Sequence, residues 1–292
     1  MKAMISRSLK LFLRDKAAVF FSLLTVLIVI ALYVLFLSKE HVEQIQRLAE
    51  GVDENDISWL VNCWILGGMM SIIPVTSCCG VLATMMRDQE TKIIKDFKST
   101  PLRKSEYPLA MIISSAIVGF LMSVCAFVIY VIYIYASWGH MFSAQQILKT
   151  LGLTAFTAVL GASSMGFLVS LLKSMSAYSS FCIVVDTLIG FLNGVYVPIG
   201  ALPKGVQTVT KIVPFNGAAS LFRSVLVSDS IQAVFAGAPE EAILDYRAYE
   251  GIDFIINGKA ASFGLVMLYM GAIAVITFIL FMIRFASKKK EY

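Results

Sequence analysis

Long uncharged apolar runs dominate this 292-residue chain and leave few folds open to it. A helix that crosses a hydrocarbon layer of about 30 Å needs roughly 20 apolar residues. Six stretches meet that length: 17–37, 59–86, 108–136, 147–172, 177–197 and 260–283. They are continuously apolar and do not alternate, which predicts helices and not a barrel. The first follows a basic segment, as a signal peptide would. Its 21 uncharged residues exceed the roughly 7–15 of a signal core, so it reads as a span. The turn between the third and fourth spans is expected at Ser137–His140, where a break meets an interfacial tryptophan. With 58% hydrophobic and only 15% charged residues, the composition excludes a soluble enzyme, a disordered tail and a nucleic-acid-binding module. The expected architecture is all-α, one membrane domain over 1–292.

Charge is segregated among the connections. The N-terminal segment, the 87–107 loop, Lys173 and the C-terminal tail carry 16 Lys and Arg against six Asp and Glu. The opposite side carries eight against twelve. Basic loops stay in the cytoplasm, so both termini are expected there. The net charge of +5 then reflects topology and implies no nucleic-acid partner. Cys63, Cys78, Cys79, Cys125 and Cys182 all lie in apolar runs, with no histidine or carboxylate at ligand spacing, so no metal site is expected.

Three polar regions are more than connectors. In Met4–Lys16, Ile5, Leu9 and Phe12 recur at helical spacing while Arg7, Lys10 and Arg14 take another face. That pattern suits a helix lying in the interface, its apolar stripe towards acyl chains. In the 87–107 loop, Ile93, Ile94 and Phe97 cluster on a short helix that Pro101 ends. An apolar face there must meet lipid or another protein. After the fifth span, Pro198, Pro203 and Pro214 punctuate two apolar pieces, 206–213 and 218–227, of a length that suits re-entrant half-helices. The acidic stretch 228–259 reads as an exposed extracellular insertion.

Arg87-Asp88-Gln89-Glu90 followed by Thr100-Pro101-Leu102-Arg103, and Val197-Pro198, Leu202-Pro203 and Val213-Pro214-Phe215 with Arg223, resemble a permease of the type-2 ATP-binding cassette exporter family. The order of elements agrees across nearly the whole chain, although Glu90 is followed by Thr91 where an acidic-glycine doublet is common. The resemblance implies six spans, an interfacial N-terminal helix, a cytoplasmic coupling helix and extracellular re-entrant helices. It implies pairing with a second copy or a close relative. It also implies a separate nucleotide-binding subunit docked through Glu90, Ile93, Ile94, Phe97 and Pro101, and a gate at Pro198, Pro203, Pro214 and Arg223. No G-x-x-x-x-G-K-[ST] occurs in the chain, so ATP and its magnesium are expected on that partner, and no catalysis or cofactor here. The expected cargo is an amphipathic, hydrophobic or peptide-like compound.

Asp186 is the only acid inside a span. A carboxylate there must face a wet cavity, find a partner or take a proton. Asn193 lies seven residues on, roughly the same face of a helix, and the pair could line a pathway or pack. The alternative function is a secondary transporter or channel using Asp186 for an ion or proton; a membrane enzyme ranks last, because the spans hold no histidine. Thr154, Ala158, Ala162, Gly166 and Ser170, four apart, form a small-residue ridge for close helix packing.

Overall fold

The computed structural model describes residues 1–17, 19–20, 24, 28, 31, 42–43, 45–46, 52–94, 103 and 105–287. Among these run α1 (Lys2–Arg14), α2 (Glu54–Glu90), α3 (Glu106–Trp138), α4 (Ala144–Ser170), α5 (Met175–Leu192), α6 (Lys204–Ile212), α7 (Pro214–Leu226), α8 (Ser228–Val234), α9 (Glu240–Tyr249) and α10 (Phe263–Ser287). Five of them, α2 to α5 and α10, are long and apolar enough to cross a membrane. The span expected at 17–37 lies largely outside the described residues.

Helix α2 is the axis. Its 37 residues reach about 55 Å at 1.5 Å per residue, well beyond the hydrocarbon thickness. Of its most apolar stretch 83% is buried, against 22% for α10 and 17% for α5. Helices α3, α4, α5 and α7 all pack on it, and α10 closes against α4. The α4 ridge explains part of this closeness: all five small residues are buried inside the chain, with Ile112 of α3 and Phe281 of α10 against Gly166. Pro74 sits within α2 without ending it, and the Thr76 hydroxyl donates to the Ile73 carbonyl.

Several boundaries move from their expected places. The fifth span ends at Leu192, not at 197, because Asn193 caps it and Gly194 turns with φ +64°. The sixth starts at Phe263, not at 260, because Lys259–Ala260 pair antiparallel with Ile255–Ile256. Asn257-Gly258 close that hairpin with φ of +50° and +77°, the sign pattern of a type I′ turn. The short pieces after α5 begin earlier than 206 and 218, since prolines here start helices. Pro198 precedes the 3₁₀ turn Ile199–Ala201, Pro203 precedes α6, and Pro214 is the first residue of α7. The 228–259 stretch is packed and not a free loop: Ile231, Val234, Tyr246, Ile252 and Phe254 are buried, and α8 lies on α2.

Candidate functional site

Two junctions, each built on a buried charge, and one bare helix face stand out, one junction towards each end of α2. At the basic end, α1 packs on α2 and α3. Its buried residues are Met4, Ser8 and Phe12, so the face expected to meet acyl chains, Ile5, Leu9 and Phe12, is turned partly into the protein. The turn brings Arg7 over the end of α2. Its Nη1 and Nη2 donate to Asp88 Oδ2 and Oδ1, both at 2.8 Å, a bidentate pair. Tyr107, at the start of α3, donates its hydroxyl to Asp88 Oδ2 at 3.2 Å. Asp88 is 2% exposed and Arg7 about a third exposed, and these hydrogen bonds hold the Arg7 guanidinium above its ordinary pKa. One carboxylate thus ties α1, α2 and α3 together where the 87–107 loop leaves the membrane helices.

Beyond it α2 ends at its cap Thr91, and Lys92 has a φ of 61°, unusual for a residue with a side chain. Glu90 Oε1 accepts the Met175 amide at 3.4 Å, joining the loop's root to the first turn of α5. Ile93 and Ile94 are half-buried and helical, with Ile94 against the core. Phe97 and Pro101, expected to complete the coupling helix, lie outside the described residues.

At the acidic end the centre is Arg223 of α7, fully buried. Its Nη2 donates to the Gly194 carbonyl at 2.6 Å, its Nε to the Trp64 carbonyl at 3.4 Å, and its guanidinium carbon sits 4.4 Å from the Trp64 ring centroid. Trp64 Nε1 in turn donates to the Glu250 carbonyl at 2.7 Å, and Ser220 to the Ile252 carbonyl at 2.8 Å. Helices α2 and α7, the turn after α5 and the end of α9 therefore meet around one cation. Gly67 and Gly68 make the room: a Cβ on Gly67 would lie 2.8 Å from the Arg223 backbone nitrogen, and one on Gly68 2.9 Å from Nη2. Burial pushes the Glu250 carboxyl up to about 7, with Arg223 pulling the other way.

The structure separates Asp186 from Asn193. Asn193 is fully buried, its Nδ2 donating to Ser71 Oγ at 2.8 Å, because the helix has ended and its side chain folds back on α2. Asp186 is exposed on the outer face of α5, among exposed Ile183, Val184, Leu188 and Phe191. Pro198, Pro203 and Pro214 stand at helix starts. The Arg7–Asp88–Tyr107 junction escaped the sequence reading, which counted Asp88 as a loop charge and named it in the Arg87–Glu90 motif but gave it no partner. An acid two residues beyond an apolar run was the available signal. Trp64, the Gly67-Gly68 pair and Glu250 were missed as well, since nothing local links them to Arg223.

A family model described as ABC-2 type transporter matches residues 1–227, from α1 to the end of α7. No curated protein matches the chain.

Proposed function

The chain belongs to the ABC-2 type transporter family, and on that premise we propose that it forms half of an exporter's translocation path, paired with a second copy or a homologous permease. Family membership makes it the multi-pass membrane subunit of an ABC transporter, which works with an ATP-binding partner. In the proposed arrangement the basic end is cytoplasmic, and the nucleotide-binding subunit docks on the loop after α2 through Glu90, Ile93, Ile94, Phe97 and Pro101. The observation that carries this reading is the Asp88 junction: the root of that loop is fastened to α1 by a bidentate ion pair and to α3 by Tyr107. A push on the loop therefore reaches three helices at once, while Glu90 passes it to α5.

The bare α5 face supports pairing. Its exposed apolar residues suit lipid, but Asp186 does not, since a carboxylate in hydrocarbon is costly by about 3 kcal/mol or more. A second copy meeting α5 would give Asp186 a polar or wet surrounding on the pathway. Arg223 then anchors the outer gate, whose short helices start at Pro198, Pro203 and Pro214, and the cargo is amphipathic, hydrophobic or peptide-like.

The test is purification. Wild-type protein should bring the ATP-binding subunit with it, and the double substitution Ile94→Asp with Phe97→Asp should release that subunit while the melting temperature stays unchanged. Retention of the subunit by the double variant would end the coupling assignment. Asp186→Asn should abolish export and leave that copurification intact.

A further inference from the structure

A cavity of about 670 Å³ lies at the acidic end, between the short helices after α5 and the packed 228–259 stretch. That volume is within the roughly 300–1,000 Å³ of small-molecule sites. One wall, from Ile199 to Ser220, lies in the family-matched part of the chain; the other, from Ala242 to Ile255, lies beyond it. Ile199, Tyr249 and Phe254 supply apolar and aromatic surface.

Its charges are uneven. Among the described residues, Asp245, Glu250 and Asp253 line it against a single ammonium, Lys211. Asp253 is committed, since Arg247 donates to both its oxygens at 2.6 and 2.8 Å. Glu250 is not. It is 4% exposed, and its Oε2 has no hydrogen-bond partner among the described residues. A buried oxygen left so is costly, and a ligand donor would relieve it. Aromatic walls beside carboxylates favour an organic cation, whose charge is attracted to ring faces as well as to oxygen. An organic anion would meet Asp245 and Glu250, which have no ion pair among the described residues.

We propose that this cavity binds an amphipathic organic amine, its ammonium donating to Glu250 and its apolar body lying against Ile199, Tyr249 and Phe254. Binding here needs neither ATP nor the partner subunit, so it stands or falls apart from the coupling assignment.

The test uses the purified full chain in detergent at pH 8 and three matched fluorescent probes: N-dansyl-1,6-diaminohexane, N-dansylhexylamine and N-dansyl-6-aminohexanoic acid. The amine should bind saturably and at least tenfold more tightly than the neutral and acidic probes. Glu250→Gln should weaken it at least tenfold. Ala242→Trp, at an exposed lining position of α9, should block it by filling the cavity. Equal binding of the amine and neutral probes would overturn the proposal, as would an Ala242→Trp protein that binds the amine like wild type. Should Glu250→Gln unfold, the Ala242→Trp result decides alone.

Discussion

The two ends of α2 solve the problem of a buried charge in opposite ways. At the basic end, Asp88 is matched by one partly exposed arginine and a tyrosine hydroxyl, all side chains. Side chains can rotate apart without refolding the backbone, and Arg7 reaches solvent, so the junction can open from that side. At the acidic end, Arg223 is held by two backbone carbonyls and a tryptophan ring, with no exposure at all. Those carbonyls cannot turn away without refolding the turn after α5 and the first third of α2. The difference assigns motion to one end and rigidity to the other, which suits a permease pushed from its basic side.

The contrast breaks most violently at Arg223. Arg223→Ala leaves the Gly194 and Trp64 carbonyls without their donor and opens a void, a loss of about 4 kcal/mol. The expected result is little folded protein, judged by a monodisperse size-exclusion peak and a thermal transition. Gly67→Ala probes the same cage from outside. Its methyl would meet backbone atoms of α7 at 2.8 and 2.9 Å, so a helix must shift, at a cost of about 1–3 kcal/mol. A normal melting temperature in Arg223→Ala would show that the cage is ornamental.

Asp88→Asn should do less. The pair is partly screened at Arg7, so the loss is set at about 1–2 kcal/mol, below that for a fully buried pair. Its signature is regional. Amide exchange should quicken across α1 and leave α7 at the wild-type rate. Equal quickening at both ends would mean that the junctions are not mechanically separate.

Much of this body is legible in the sequence because hydrocarbon tolerates so few structures: α3 and α4 lie within three residues of their expected bounds. What escaped depends on distant partners. Asp88 looks like any loop charge until α1 folds back over 81 positions to reach it. Asn193 looked like a companion of Asp186, and helical spacing does place residues seven apart on one face. The helix stops one residue short of it, at Leu192, because Gly194 leaves the helical region, and the amide side chain then turns to Ser71. Arg223 was singled out by motif, but its cage draws on Trp64, 159 positions away. Proline was read as a breaker in 198–214, whereas its fixed φ and missing amide hydrogen suit the first turn of each short helix.

The gentlest perturbation is pH, acting through Glu250. In the folded chain its carboxyl is pushed from an ordinary 4.5 up to about 7 by burial, while Arg223 moderates the shift. Asp245, Asp253 and Lys211 line the same cavity. Between those two values the folded protein keeps a proton that the unfolded chain has released, so stability falls as pH rises and levels off above 7. From pH 6 to 8 the loss attributable to this group is about 1 kcal/mol. Melting curves at the two pH values should therefore differ in the wild type and converge in Glu250→Gln, which has nothing to ionise. Every other ionisable group remains in the variant, so only the difference between the two proteins is Glu250's. An unchanged pH dependence in Glu250→Gln would place the ionising group elsewhere, and the acidic end would lose its claim to be a permanently charged, rigid anchor with one titrating neighbour.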